Sequence, residues 1–297
     1  MNAAAAGATS RGRRQNWLLL FNCQAEGLAN SLELLGVDLR VESHHPPSFR
    51  KLRDDIAARL DEFDRIVVAP RVEPMLGFDL RGRDDVIRVP HVMFHGFHPD
   101  LVYMGASSGL AKGAIGEFHS ALVYAAFRSG LDEAAAAALF REDVFAELGY
   151  LDSWQVCREQ LERDFSEQDF DVRESFVRWS RTGAFMHTIN HPKIGVLADV
   201  ARLVLRRAGL EPREAGMVPH DGLAKGPVFP VFPPIGARLG IRGSYLFKQG
   251  GGYAVLDLDE YVAASYRIYR EAVGAKPANK SFLPVIERAE SLVRAMR

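Results

Sequence analysis

Residues 17–32 read WLLLFNCQAEGLANSL, and the period of the pattern changes in the middle. Trp17 to Asn22 is an apolar run of strand length. From Gln24 onward Ala25, Leu28, Ala29, Leu32 and Leu35 recur at helical spacing, and Gly36 supplies a stop. A buried strand that feeds straight into a helix predicts the first half of a strand–helix–strand unit. The junction itself is Asn22-Cys23-Gln24, a thiol between two amides.

Working outward, Val37 to Val41 is a second strand. ESHHPPSF at 42–49 reads as a turn, and Leu52, Ile56, Leu60 and Phe63 mark one face of a second helix. DRIVVAP at 64–70 is a third strand ended by Pro70, and a further strand is expected between Val86 and Phe94. This order implies parallel strands joined by right-handed crossovers.

After about residue 117 the pattern turns helical. FHSALVYAAFRSG, LDEAAAAALF and the stretches 153–168, 172–181 and 193–208 all carry it, punctuated by Gly130, Gly149, Gly183 and Gly209. Residues 209–240 are rich in Pro and Gly and read as an extended loop. SYLFKQGGGYAVLDL suggests a hairpin, and helices near 259–273 and 282–296 close the chain. The expected fold is an α/β N-terminal subdomain with a short parallel sheet, 16–117, embedded in a mainly helical single domain, 16–297. Residues 1–15 form a loose tail.

The 297 residues are 47% hydrophobic and 25% charged, with a formal net charge of -1, an ordinary soluble composition. No basic field exists to hold nucleic acid. Cys23 and Cys157 are the only cysteines and show no CxxC spacing, which points to a reducing compartment rather than a disulfide framework or a structural zinc. No run approaches the roughly 20 apolar residues that span a bilayer, so no integral membrane segment is expected.

If the first strand lies in a parallel sheet, Cys23 sits at its carboxyl end, where ligands bind in open α/β sheets. It also precedes a helix, whose positive end is expected to lower a thiol pKa and to stabilise an anion. The amides of Asn22 and Gln24, with nearby N–H groups, could serve an oxyanion. A free cysteine also behaves as a small buried hydrophobe, and the sequence leaves both readings open.

A cysteine nucleophile needs a base. Of nine histidines, six fall in three clusters. HVMFHGFHPDLVY, 91–103, breaks its helical spacing with Pro and Gly, which argues against a metal site. His98-Pro99-Asp100 reads there as a turn pinned by a His–Asp hydrogen bond. GASSGLAKGAIGEFHSALVYAAF, 105–127, is a glycine-rich loop with Ser107, Ser108 and Lys112 that leads to His119 and Ser120. Such loops cradle phosphates, and Ser120 is equally a helix cap. FMHTINHPKIGVLADVARLVL, 185–205, places Pro192 at a first helical position with His191 at the cap. Asn190, His191 and Lys193 then crowd a positive helix end.

These pieces together resemble the WcbI-type capsular polysaccharide biosynthesis enzymes. The matching segments are FNCQAEGLANSL, FHGFHPDLVY, EFHSALVYAAFRSG, HTINHPKIGVL and FPVFPPIG with RGSYLF. The family pattern has Gly before Asn-Cys-Gln, where this chain has Phe21. The resemblance implies a helical cradle around a small α/β part, with coenzyme A or acetyl-coenzyme A in a deep pocket. It also implies an acetyl group passed to a saccharide or nucleotide-sugar hydroxyl. Candidate catalytic residues are Cys23, His119 and His191. Candidate cofactor-binding residues are Asn22, Gln24, His98, Lys112, Ser120, Asn190, Lys193 and Lys225. Either Cys23 takes the acetyl group covalently, or a histidine activates the acceptor and Cys23 lines the pocket. A cysteine-dependent esterase or deacetylase, and a non-catalytic component that docks onto polysaccharide-assembly proteins, are the alternatives. Use of coenzyme A places the protein in the cytoplasm, including its membrane face.

Overall fold

The computed structural model describes residues 13–106, 109–271, 276–278 and 280–296. Ser107 and Ser108, and nearly all of the expected tail, lie outside them. The chain divides into two compact units: Met1–Pro90 with Ala198–Pro219, and His91–Leu197 with His220–Arg297.

The first unit carries β1 (Gln15–Leu20), α1 (Ala25–Leu35), β2 (Leu39–His44), α2 (Pro46–Ala58), β3 (Arg65–Val68) and β4 (Val86–Arg88). The sheet order is β2-β1-β3-β4, and every pairing is parallel. Leu18 of the central strand stands between Glu42 and Ile66. Trp17, Leu18, Leu19 and Leu20 are fully buried, as a parallel strand covered on both faces requires. α1 buries the predicted stripe of Ala25, Leu28, Ala29, Leu32 and Leu35.

Gly36 ends α1 with an extended backbone, so its use is steric rather than conformational. A Cβ there would lie 2.8 Å from Leu39 Cδ2 and 2.9 Å from the Leu32 carbonyl oxygen. β2 starts two residues later than the apolar pattern suggests, because Asp38 holds a left-handed φ of 50° and turns the chain first. The expected turn at 42–49 is instead the end of β2 and the first turn of α2, with Pro46 at the helix start. Leu52 is consequently exposed, and Phe49 takes the buried place beside Ile56. The segment after residue 209 returns to this unit. Arg213 donates its backbone N–H to Leu35 O at 2.8 Å and its Nη2 to Gly36 O at 2.6 Å, closing the C-terminal end of α1.

The second unit contains β5 (Leu101–Ala106), β6 (Gly109–Leu110), β7 (Phe118–Ser120), α3 (Ala121–Arg128), α4 (Glu133–Ala137), α5 (Glu142–Glu147), α6 (Ser153–Ser166), α7 (Arg173–Arg181), β8 (Met186–Thr188) and β9 (His191–Pro192). α8 (Ile194–Arg207) starts here and continues into the residues of the first unit. α9 (Pro233–Leu239), the hairpin β10 (Phe247–Lys248) and β11 (Val255–Leu256), α10 (Leu258–Glu271), β12 (Lys276–Pro277) and α11 (Leu283–Ala295) complete it. β5 pairs antiparallel with β6, β7 and β12. This ladder makes residues 91–117 part of the second unit, so the division falls at Pro90 rather than near 117.

The second unit's core is aromatic. Phe94 and Trp154 meet edge to face at 4.9 Å, and Phe97 and Phe185 at 5.0 Å. Phe247 stacks on Tyr261 at 3.8 Å. Such pairs add roughly 0.5–1.5 kcal/mol each beyond area burial. The Pro-rich segment is not wholly an extended loop: Phe229 and Phe232 are buried in this core, and α9 begins directly after Phe232. Among the described residues, no helix is long and apolar enough to cross a membrane.

Candidate functional site

β2 lies on one side of β1 and β3 on the other, so the chain leaves β1 at the point where the sheet order reverses. In parallel sheets the crevice at the carboxyl edge of that point is where ligands bind. The Phe21 N–H bonds to His44 O at 3.0 Å, and the Ala69 N–H bonds to Leu20 O at 3.1 Å, fixing the edge on both sides. Asn22 then makes the turn. Its Oδ1 accepts from the Gln24 N–H at 3.0 Å, and its carbonyl accepts from the Ala25 N–H at 3.0 Å. An Asx turn of this kind closes without glycine, which is why buried Phe21 is tolerated before it.

Gln24 is wholly buried, while Cys23 is exposed and forms no disulfide. Cys23 is therefore not the small buried hydrophobe that its residue type suggests. Of the local N–H groups expected to serve an oxyanion, those of Gln24 and Ala25 are already taken by Asn22. The positive end of α1 and the Asn22 amide nitrogen, a donor once its Oδ1 accepts, are features that suit an anion here.

In the second unit, His119 follows Phe118 in β7 and is buried. Nε2 lies 3.1 Å from Ala111 O and Nδ1 lies 3.1 Å from Tyr269 Oη. A carbonyl only accepts, so Nε2 carries the proton and Nδ1 accepts from the tyrosine. Burial pulls the His119 pKa down, against the favourable Ala111 carbonyl. Both nitrogens are engaged, and no lone pair is left for a substrate proton. Ser120 is buried and accepts from the Val123 N–H at 3.0 Å, the cap of α3.

The third cluster folds differently from its pattern. His191 and Pro192 form β9, and α8 begins only at Ile194. The Ile194 N–H donates to Asp221 Oδ2 at 3.2 Å, and the same oxygen lies 3.0 Å from His187 Nε2. Asp221 Oδ1 accepts from the Ala224 N–H at 3.2 Å. The positive start of α8 is thus answered by the protein's own carboxylate rather than left for a ligand. Burial alone would raise the Asp221 pKa; the hydrogen bond and charge of His187, with the two N–H groups, outweigh it and hold it low.

His191 stands beside this dyad. Its Nδ1 is buried without a hydrogen-bond partner, and Phe118 meets its ring edge to face at 5.6 Å. Burial, and then the nearby charge of His187, pull its pKa down to about 4, with Asp221 opposing. Gly226, next to Lys225, lies against the same ring, and a Cβ there would be 3.9 Å from it. Asn190 Oδ1 accepts from Thr188 Oγ1 at 3.1 Å.

His98 is fully buried, and neither ring nitrogen makes a well-formed hydrogen bond. Burial drops its pKa to about 3, although the Phe229 carbonyl favours the proton. The expected His98–Asp100 hydrogen bond is not formed. Asp100 Oδ1 accepts instead from the Leu122 N–H and from Tyr150 Oη, both at 2.9 Å. Lys112, Lys193 and Lys225 are all exposed.

The structure therefore groups His187, His191 and Asp221, with Lys225 close by, and keeps His119 and Ser120 in supporting contacts. His187 and Asp221 escape a reading based on spacing. Asp221 is 34 residues from His187, inside a Pro- and Gly-rich segment that suggests only a loop.

A family described as "Polysaccharide biosynthesis enzyme WcbI" matches residues 16–213. A solved structure of WcbI, described as a novel polysaccharide biosynthesis enzyme, superimposes with a TM-score of 0.66 over 96% of each chain at 15% identity. That protein was solved in native form without a disulfide bond between coenzyme A and one of its cysteines. No curated protein matches the sequence. With its switch-point cysteine and ordered histidine segments inside the matched span, this chain belongs to the WcbI family of polysaccharide biosynthesis enzymes.

Proposed function

We propose that the chain is an acetyl-coenzyme A-dependent O-acetyltransferase acting on a saccharide hydroxyl of a capsular or other surface polysaccharide. The observation that carries this reading is Cys23: an exposed thiol at the sheet's switch point and at the start of α1. Its family includes a solved member described by whether coenzyme A and a cysteine are joined. The surroundings fit an anionic, thiol-ended carrier, since the α1 dipole presents its positive end there. Lys112, Lys193 and Lys225, in the second unit, are exposed ammonium groups of the kind that bind phosphate as point charges. When bound, acetyl-coenzyme A supplies an activated acetyl thioester.

The chain's own residues divide the remaining work. Cys23 is the residue against which the thioester end binds, as nucleophile or as pocket lining. Within the second unit, His187, held by Asp221 at 3.0 Å, is the side chain suited to take the proton of an acceptor hydroxyl. His191, neutral above about pH 4, offers hydrogen bonds without competing for that proton. His119 holds its loop through Ala111 and Tyr269. Replacing His187 with Gln is expected to lower turnover on the order of 100-fold or more. Near-normal turnover of Cys23→Ala would exclude the covalent route.

Thermal unfolding with coenzyme A tests the reading. Ligand at about 100 times its dissociation constant adds roughly 2.7 kcal/mol of stability. Upward shifts with coenzyme A and acetyl-coenzyme A, absent with adenosine alone, are expected. No shift at millimolar coenzyme would overturn the transferase and favour an esterase.

A further inference from the structure

Leu148, Tyr150, Cys157 and Phe282 help to line a cavity of about 300 Å³ that lies wholly within the second unit. Its walls come from the 95–99 loop, the end of α5, the first turns of α6 and the start of α11. Small-molecule sites begin at about this size. Much of the wall is apolar, with Pro99, Leu148, Phe282, Pro284 and Val285 exposed to the space.

Besides Arg288, the polar side chains of the lining are His95, Tyr150, Ser153, Cys157 and Ser281. Arg288 is the only Lys, Arg, Asp or Glu among the lining residues. Its Nη1 donates to Leu148 O at 2.9 Å, and it enters no ion pair among the described residues. Gly149 makes that position possible. It has a left-handed φ of 72°, and a Cβ there would stand 3.0 Å from Arg288 Nη1. The guanidinium therefore lies close over bare backbone, with one donor spent and four available. Tyr150 Oη is turned to Asp100 and Ser153 Oγ to Tyr150 O, so neither adds a competing charge. Burial holds Cys157 as a thiol, with its pKa pushed up to about 11.

We propose that this cavity binds a small amphipathic anion, its hydrocarbon or aromatic body against the apolar wall and its carboxylate or phosphate on Arg288. Charge complementarity selects the class: an apolar space with one unpaired cation and no carboxylate favours an anion over a neutral or cationic guest.

Cys157 reports occupancy. In a Cys23→Ser background, the rate of Cys157 alkylation by a maleimide is measured with octanoate, octyl phosphate, octan-1-ol and acetate. At ten times their dissociation constants, octanoate or octyl phosphate should slow labelling about tenfold. Octan-1-ol and acetate should not, having only one half of the required chemistry each. The stronger of the two anions identifies the head group. Arg288→Gln, at an exposed position, should remove the protection while the chain still unfolds cooperatively, its midpoint lowered only by the lost hydrogen bond to Leu148 O. Val285→Trp, which fills the cavity, should slow labelling without any ligand. No protection by either anion, equal protection by octan-1-ol, or full protection in Arg288→Gln would overturn the proposal.

Discussion

Asp221 binds His187 Nε2 at 3.0 Å and the Ile194 N–H at 3.2 Å, so its removal should be felt in two ways. Asp221→Ala loses a charged hydrogen bond and an acceptor at the start of α8, a cost of about 2–3 kcal/mol in urea unfolding. Asp221→Asn keeps an acceptor for the helix but not the charge on His187. It should retain most of the stability and lose most of the turnover. Equal stability losses in both variants would refute the division of roles. The buried histidines set a pH dependence. His98 at about 3 and His191 at about 4 both lie below the ordinary value near 6.5. The unfolded chain binds their protons first as pH falls, so stability is full above about 6.5 and declines toward pH 4. Asp100, raised by burial, acts in the opposite sense: it favours the folded state in acid. Urea midpoints at pH 7.5 and 5.5 should differ in wild type, and His98→Phe should flatten the difference. A flat wild-type profile would contradict this. At this scale the sequence revealed Cys23 and the presence of histidines. It could not reveal that Asn22 consumes the neighbouring N–H groups, or that His119 has both nitrogens engaged, because those partners are set by folding.

The parallel sheet was legible because strand and helix periods differ and alternate cleanly from Trp17 to Val68. Boundaries were less so. Asp38 and Pro46 shifted β2 and α2 by local backbone geometry that an apolar stripe does not encode. Phe118-His119-Ser120 was absorbed into the helical pattern of α3, since three buried residues of strand carry no period of their own. Glycines make the element scale testable. Gly36→Ala should cost roughly 1–3 kcal/mol, because its Cβ would press on the Leu32 carbonyl, which cannot swing aside as a side chain can. Gly195→Ala, in α8 with nothing within 4 Å of its Cβ, should be neutral or gain up to about 1 kcal/mol. Urea unfolding of the pair checks both, and a reversed order would contradict the steric account.

Across the whole molecule, the change of character near residue 117 marked a real shift from α/β to helical sequence, yet the units divide at Pro90 and the chain returns to the first with Ala198–Pro219. That return is carried by contacts such as Arg213 to Leu35 and Gly36, separated by more of the chain than any local pattern covers. The central claim is that Cys23 marks a coenzyme A site. The most direct test is peptide mapping by mass spectrometry after exposure to coenzyme A disulfide, with oxidised glutathione as the reference reagent. Thiol–disulfide exchange would join the coenzyme to a cysteine and release one coenzyme thiol. The account predicts one coenzyme adduct on the Cys23 peptide, formed faster than the glutathione adduct and lost in Cys23→Ser, with Cys157 unmodified. No preference for the coenzyme over glutathione at Cys23, or an adduct confined to Cys157, would contradict it.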